Sequence, residues 1–341
     1  MVAKKPRARI DAALLLLVLA AVMGFSARPC ESSLYNPPPP AMAYHDGAVL
    51  DGVVPVSVLY YGAFPPHHKA VVADFLLSLS PHGRDMQRQH SFGAPGPAPP
   101  PTVARWWATV DRYVRKASLV TSAGARVVLA SQVDDAACSM GKRLTRAQVE
   151  HLASRFGVAP GGVAVVLTAS DVAVDGFCTS ACGTHGSSST SLGGAVHVWV
   201  GDASAQCPGR CAWPFHPAEG FAYGDTAGRR GHEHGRVEAA LRAPNGDAGV
   251  DGMVINLAAL MAGAVTNPYG RGFFQGDAAA PVEVAGACPG VYGRGAYPGY
   301  PGAVRVDAAT GAGYNVVGRN GRRYLLPALV NPDNYSCLIM S

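Results

Sequence analysis

Residues 176–216 open as GFCTSACGTHGSS (176–188), pass through HVWVGD (197–202) and close on QCPGRCAWPFH (206–216). Four of the chain's eight cysteines (Cys178, Cys182, Cys207, Cys211), three histidines (His185, His197, His216) and two of its four tryptophans (Trp199, Trp213) fall here. Two Cys-x3-Cys pairs can build a four-sulfur zinc site or supply four bridge ends. An oxidising compartment favours the bridge, so the destination of the chain decides what the middle of the fold is.

The N-terminus answers that question. Lys4, Lys5, Arg7 and Arg9 precede an apolar run, AALLLLVLAAVMGFSA (12–27), which ends in small residues with no basic cluster behind it. This is the pattern of a signal peptide over residues 1–27, cleaved beside Ser26 and Ala27, and no membrane span is expected after its removal. The secreted domain then runs over 28–341. The net charge of +5 falls to about +2 once residues 1–27 leave. So mild a charge argues against a nucleic-acid partner, which needs a clustered basic face. All eight cysteines, with Cys30, Cys138, Cys288 and Cys337 completing the set, lie beyond the cleavage point and are disulfide candidates. Spacing alone leaves their connectivity open. A sequon at Asn334-Tyr335-Ser336 makes Asn334 a glycosylation candidate in the same compartment.

Outward from the cysteine-rich stretch, apolar patterning gives a covered mixed sheet in one disulfide-stapled α/β domain. Strands are expected at Val53 to Gly62, Arg126 to Val133 and Gly162 to Thr168, the first and the last of them buried by their β-branched and aromatic content. Helical spacing follows Pro65-Pro66 and again runs through PTVARWWATVDRYVRKA (101–117), where Trp107 would lie beside the apolar face. Thr145 and Gln148 form a capping box, and Gly157 stands where a C-cap glycine belongs. In Ala195 to Val200, three valines alternate with His197 and Trp199, which predicts a half-exposed edge strand or one lining a cleft. Gly249 to Val265 is an apolar helix that Pro268 cannot extend, and Val304 to Val330 reads as a C-terminal β-meander with a turn at Asn320-Gly321.

Catalytic motifs are sparse. The chain has no G-x-S-x-G, no G-x-x-x-x-G-K-[ST] and no H-E-x-x-H. The element order resembles the core of zincin-type metallopeptidases, yet the helix that would carry their metal ligands has no His, Glu or Asp after Asp251. A zincin-like core without its metal ligands is therefore the expected scaffold, with no catalytic residues and no cofactor. The alternative metal set is His185, His197 and His216, drawn together by the cysteine-stapled loop. The His232-Glu233-His234 triplet lacks the spacing of a ligand set.

Six blocks carry a family resemblance: YNPPPP with YHDGAVLDG (35–52), GFCTSACGTHGS (176–187), VWVGDASAQCPGRCAWPFH (198–216), APNGDAGVDGMVINLAALMAGAVTNP (243–268), ACPGVYGRGAYPGYPG (287–302) and GRRYLLPALVNP (321–332). Together they resemble the plant EXORDIUM family, also called the phosphate-induced or phosphate-responsive proteins. The likeness spans about Leu34 to Cys337. The His-rich stretch between His216 and Pro244, Cys30 and Cys138 depart from it. It implies a secreted protein of the apoplast and cell wall, linked to cell expansion, brassinosteroid response and carbon or phosphate status, with no established catalysis. For Cys178, Cys182, Cys207, Cys211, Cys288 and Cys337 it implies a structural bridge role. Expected partners are a cell-wall component or a cell-surface receptor. Two further readings compete: an apoplastic metal-dependent hydrolase using the loop histidines, and a wall-glycan binding module stacking sugars on Trp107, Trp199, Trp213, Tyr292, Tyr297 and Tyr300.

Overall fold

The strand β1 (Gly52–Tyr61) is the spine, because its side chains alternate between two cores. Val54, Val56, Val58 and Tyr60 enter one hydrophobic cluster, while Leu59 and Tyr61 enter the other. A strand buried on both faces reads as a continuous apolar run, as residues 53–61 do. The computed structural model describes residues 41–81, 99–117, 123–155, 158–187, 194–216 and 240–340. The described residues belong to one compact unit, Pro39–Ser341. The signal peptide pattern, Cys30, Gly157 and the 232–234 triplet lie outside the described residues.

Around β1 stand β2 (Ala125–Asp135), β3 (Val163–Thr168), β4 (Gly183–Ser187) and β5 (Val196–Gly201), in the spatial order β2-β1-β3-β5-β4. The first four are parallel, and β4 pairs antiparallel along β5. β5 is thus not the edge strand that its alternating pattern predicts. All six of its residues are buried, because GTHGS, a stretch with little strand propensity, bonds along its outer side.

One face of the sheet is covered by α1 (Pro66–Ser78), α2 (Val103–Ala117) and a long helix at Ala248–Thr266. The short helix α3 (Arg146–Ser154) covers the other, and we call the long one α4. In α3 the capping box forms as read: Thr145 Oγ1 accepts from the Gln148 amide at 3.2 Å, and Gln148 Oε1 accepts from the Thr145 amide at 2.8 Å. α4 is long and apolar enough to cross a membrane by composition, but it is the core helix here and most of its residues are buried. Val254, Leu257 and Met261 are each at most 1% exposed, and each contributes about 1.5–3 kcal/mol by leaving water. Its one strongly polar interior residue after Asp251, Asn256, donates to Cys211 O and Gly252 O at 2.9 Å, so it is spent on backbone carbonyls.

Both tryptophans of α2 are core residues. Trp106 and Trp107 are 0% and 1% exposed, and their indoles donate to Pro327 O and Ala125 O at 2.7 Å. Trp107 thus has no face free for a sugar. Cys178 bridges Cys207, Cys182 bridges Cys211, and Cys288 bridges Cys337. The first two form a ladder from the segment before β4 to the helical turn Pro208–Cys211, and their sulfurs pack with the core under α3. Cys138 departs from the expected bridges: among the described residues its thiol is free, buried with Leu144, Val172 and Val174. The C-terminal region forms separate two-residue ladders, Arg305–Val306 with Gly313–Tyr314 and Val316–Val317 with Arg323–Tyr324, not one continuous meander. Asn315 replaces a sheet there: its amide donates to Tyr292 O and Leu326 O, and its oxygen accepts from the Leu326 amide.

Candidate functional site

Chain order reverses between β1 and β3, since β1 leads to β2 on one side while β3 lies on the other. In open parallel sheets, ligands gather at the carboxyl ends of the strands beside such a reversal. Here β1 ends at Tyr61, and Pro65-Pro66 start α1 at once, with His67 and His68 in its first turn. Proline suits that position because its missing N–H would be unpaired anyway. Asp202 directly follows β5, and its amide donates to Thr168 O at 2.9 Å. Asp247 caps α4: its Oδ1 accepts from the Gly249 and Val250 amides at 2.8 and 3.1 Å.

These groups converge. His68 Nε2 lies 3.0 Å from Asp247 Oδ2, and the His67 ring packs edge-on to His68 with centroids 4.3 Å apart. His68 and Asp202 are buried, while His67 is exposed. Asp251, one turn into α4 and buried, accepts from the Asn245 amide at 2.8 Å and from the Asn245 side chain, whose oxygen accepts from Arg322 at 3.0 Å. Asp74 on α1 is also buried and accepts from the Tyr324 hydroxyl at 2.9 Å, tying the C-terminal ladders to α1.

Electrostatics follow from these contacts. The hydrogen bond to Asp247 raises the His68 pKa against the opposing effect of burial, and the same bond lowers Asp247 to about 2. Asp251 is pushed up to about 7 because desolvation outweighs its Asn245 bonds. His68, raised, stabilises the fold fully below its unfolded value of about 6.5 and loses that contribution as pH climbs through its folded value. Asp247, lowered, contributes above its unfolded value of about 3.9 and loses that contribution as pH falls toward about 2. The pair is therefore complete between about pH 4 and 6.5. Asp247→Asn keeps the cap but not the charge, and urea unfolding in chelating buffer is expected to show a loss of about 1–2 kcal/mol at pH 5.5, discounted for the partial exposure of the carboxylate, and a smaller loss at pH 9. Equal losses at the two pH values would contradict this assignment.

The histidines singled out from sequence are not brought into one set. In the β4–β5 ladder His185 stands opposite Val198 and Gly186 opposite His197, so the two imidazoles point to opposite faces of the sheet. His185 Nε2 meets Glu283 Oε2 at 2.6 Å, and Glu283 Oε1 accepts from Asn267 at 2.7 Å. Gly263 of α4 makes room for this pair, since a Cβ there would sit 2.2 Å from Glu283 Oε2. His197 is buried, which lowers its pKa. His216 follows Phe215, a member of a separate small cluster with Ile255, Tyr292 and Leu325. Of the proposed stacking aromatics, Trp107, Trp199 and Tyr292 are buried, Trp213 packs on Tyr292, and Tyr297 is 59% exposed beside Tyr300. Asn334 is exposed, with its side-chain oxygen accepting from Ser336.

Residues 42–340 match the family described as "Phosphate-induced protein 1 conserved region". The chain belongs to the phosphate-induced protein 1 family. It is 43% identical over 325 residues to Protein EXORDIUM-like 1 of Arabidopsis thaliana, covering 94% of this chain and 96% of that protein. It is 43% identical to Protein PHOSPHATE-INDUCED 1 of Nicotiana tabacum, covering 92% of each, and 42% identical to Protein EXORDIUM of Arabidopsis thaliana, covering 88% and 89%. No solved structure matches the chain. The family match takes in the whole polar end of the sheet, from His67 and His68 through Asp202 to Asp247 and Asp251.

Sequence reasoning on this phosphate-induced protein 1 chain missed the meeting of His67, His68 and Asp247. Two local signals pointed to it: a His-His pair straight after a strand and a Pro-Pro turn, and Asp247 placed to cap an apolar helix. Chemically, the cluster can hold a cation or pass a proton between imidazole and carboxylate, and the residues placed to hold a metal are His67, His68 and Asp247.

Proposed function

We propose that this protein is exported to the plant wall space and acts there in growth and cell expansion by binding a wall component or a cell-surface receptor. The observation that carries this reading is the bridge ladder through its most cysteine-rich stretch, a chemistry that persists in oxidising compartments. The apolar run at 12–27 and the exposed sequon at Asn334 support the same destination. The sheet order, with an antiparallel outer strand and a buried helix following, supports the zincin-like comparison at the level of architecture. Asn256, committed to backbone carbonyls on that helix, favours a scaffold over a peptidase. Expression in plant cells from the native start tests the destination. The apoplastic wash is expected to hold a chain beginning near Arg28, and a chain kept inside the cell with residues 1–27 attached would overturn the proposal.

One surface favours a glycan among the wall components. Tyr297 and Tyr300 flank a Pro-Gly turn, with reciprocal backbone bonds of 3.1 and 2.8 Å and ring centroids 5.1 Å apart. Gly299 has φ +91°, which a residue with a Cβ rarely adopts and which holds the turn tight. Paired aromatic faces at an exposed tip suit stacking on sugar rings. Replacing both tyrosines by alanine is expected to weaken retention on insoluble wall polysaccharide roughly tenfold in a pull-down with unchanged thermal stability. Unchanged retention would rule this surface out.

A further inference from the structure

The polar end of the sheet has a feature that its hydrogen bonds leave unexplained. The His68–Asp247 contact is satisfied as a cap with its counter-charge, but that does not account for His67, an exposed imidazole held edge-on to His68. Nor does it account for Asp202. That carboxylate is buried, with its Oδ1 accepting from the Ser204 amide at 2.9 Å. A Cβ at Gly249 would sit 2.6 Å from Asp202 Oδ1 and 3.1 Å from Asp247 Oδ1. Glycine at this position lets two carboxylates approach the same gap from two sides.

We propose that His67, His68 and Asp247 bind a divalent transition-metal ion of the zinc class, with the Asp202 carboxylate adding negative charge behind them. One ligand atom from each of the three lies within 4.8 Å of the other two. Two donors at about 2.1 Å from a shared tetrahedral ion lie about 3.4 Å apart, so the 3.0 Å between His68 Nε2 and Asp247 Oδ2 opens by only a few tenths of an ångström when an ion takes the place of the hydrogen bond. Two imidazoles and one carboxylate select zinc-class ions over calcium or magnesium, which prefer oxygen donors throughout. Three protein ligands leave a coordination position for water or for an oxygen of a bound molecule. Asp202 and Asp247 bring two carboxylates to the same gap, and a divalent ion offsets charge that the helix N-termini only partly balance.

The test uses the secreted chain carrying His232→Ala and His234→Ala, so that the His-Glu-His tract contributes no ligands. After chelator treatment, calorimetric titration with zinc chloride is expected to show one equivalent bound and a rise in melting temperature. His67 is exposed, so His67→Ala should melt at the same temperature without zinc, bind zinc at least tenfold more weakly and lose the zinc-dependent rise. Asp247→Asn should weaken binding by a similar factor, while His151→Ala, an exposed histidine on α3, should leave it intact. The absence of stoichiometric binding, or binding that survives both His67→Ala and Asp247→Asn, would overturn the proposal.

Discussion

Replacing Cys178, Cys182, Cys207 and Cys211 together by serine is expected to lower the unfolding free energy by about 6 kcal/mol. Each ladder bridge spans 29 residues, and closing such a loop restricts the unfolded chain by about 3–4 kcal/mol. With one bridge in place, the second closes a ring of only about eight residues and adds about 2–3 kcal/mol. Removing either ladder bridge alone should therefore cost only that smaller amount. Removing the 49-residue closure between Cys288 and Cys337 should cost about 4 kcal/mol. Since whole domains are stable by about 5–15 kcal/mol, the fourfold variant should lose a large share of its stability. Guanidinium unfolding under non-reducing conditions reads all three values, and a fourfold variant as stable as either double variant would contradict the ladder.

Trp107→Ala is expected to cost about 3–5 kcal/mol, because it empties a fully buried site and strands the Ala125 carbonyl that the indole satisfies. Trp106→Ala should cost a similar amount for the same reason at Pro327. A sugar platform would behave in the opposite way, losing affinity while stability held. Thermal unfolding beside a polysaccharide pull-down separates the two, and a stable Trp107→Ala protein with weakened binding would contradict the core assignment.

Much of the sheet was legible because its cause is local. Val54, Val56 and Val58 in β1, and Val163 to Thr168 in β3, are β-branched runs that only a doubly covered strand can bury. The α3 capping box needs just four residues to announce itself. β4 was not legible, since GTHGS carries no pattern and becomes a strand only because β5 offers it an unpaired edge. That edge also buried His197 and Trp199, which alternation alone had placed half in solvent. Likewise, His68 and Asp247 lie 179 residues apart, so no periodicity links them, and their meeting follows from α1 and α4 packing on one face of the sheet. In the Gly- and Pro-rich C-terminal region, order comes from the Cys288–Cys337 bridge and the Asn315 side chain, not from strand patterning.

An oxidised, bridge-stapled domain built around residues 176–216 underlies both the fold and the proposed destination. Peptide mapping by mass spectrometry of protein secreted from plant cells, digested without reduction, tests it most directly. The expected linked peptides join Cys178 to Cys207, Cys182 to Cys211 and Cys288 to Cys337. Free thiols at these six positions, or a Cys178–Cys182 linkage in their place, would contradict both the fold around the ladder and the destination inferred from it.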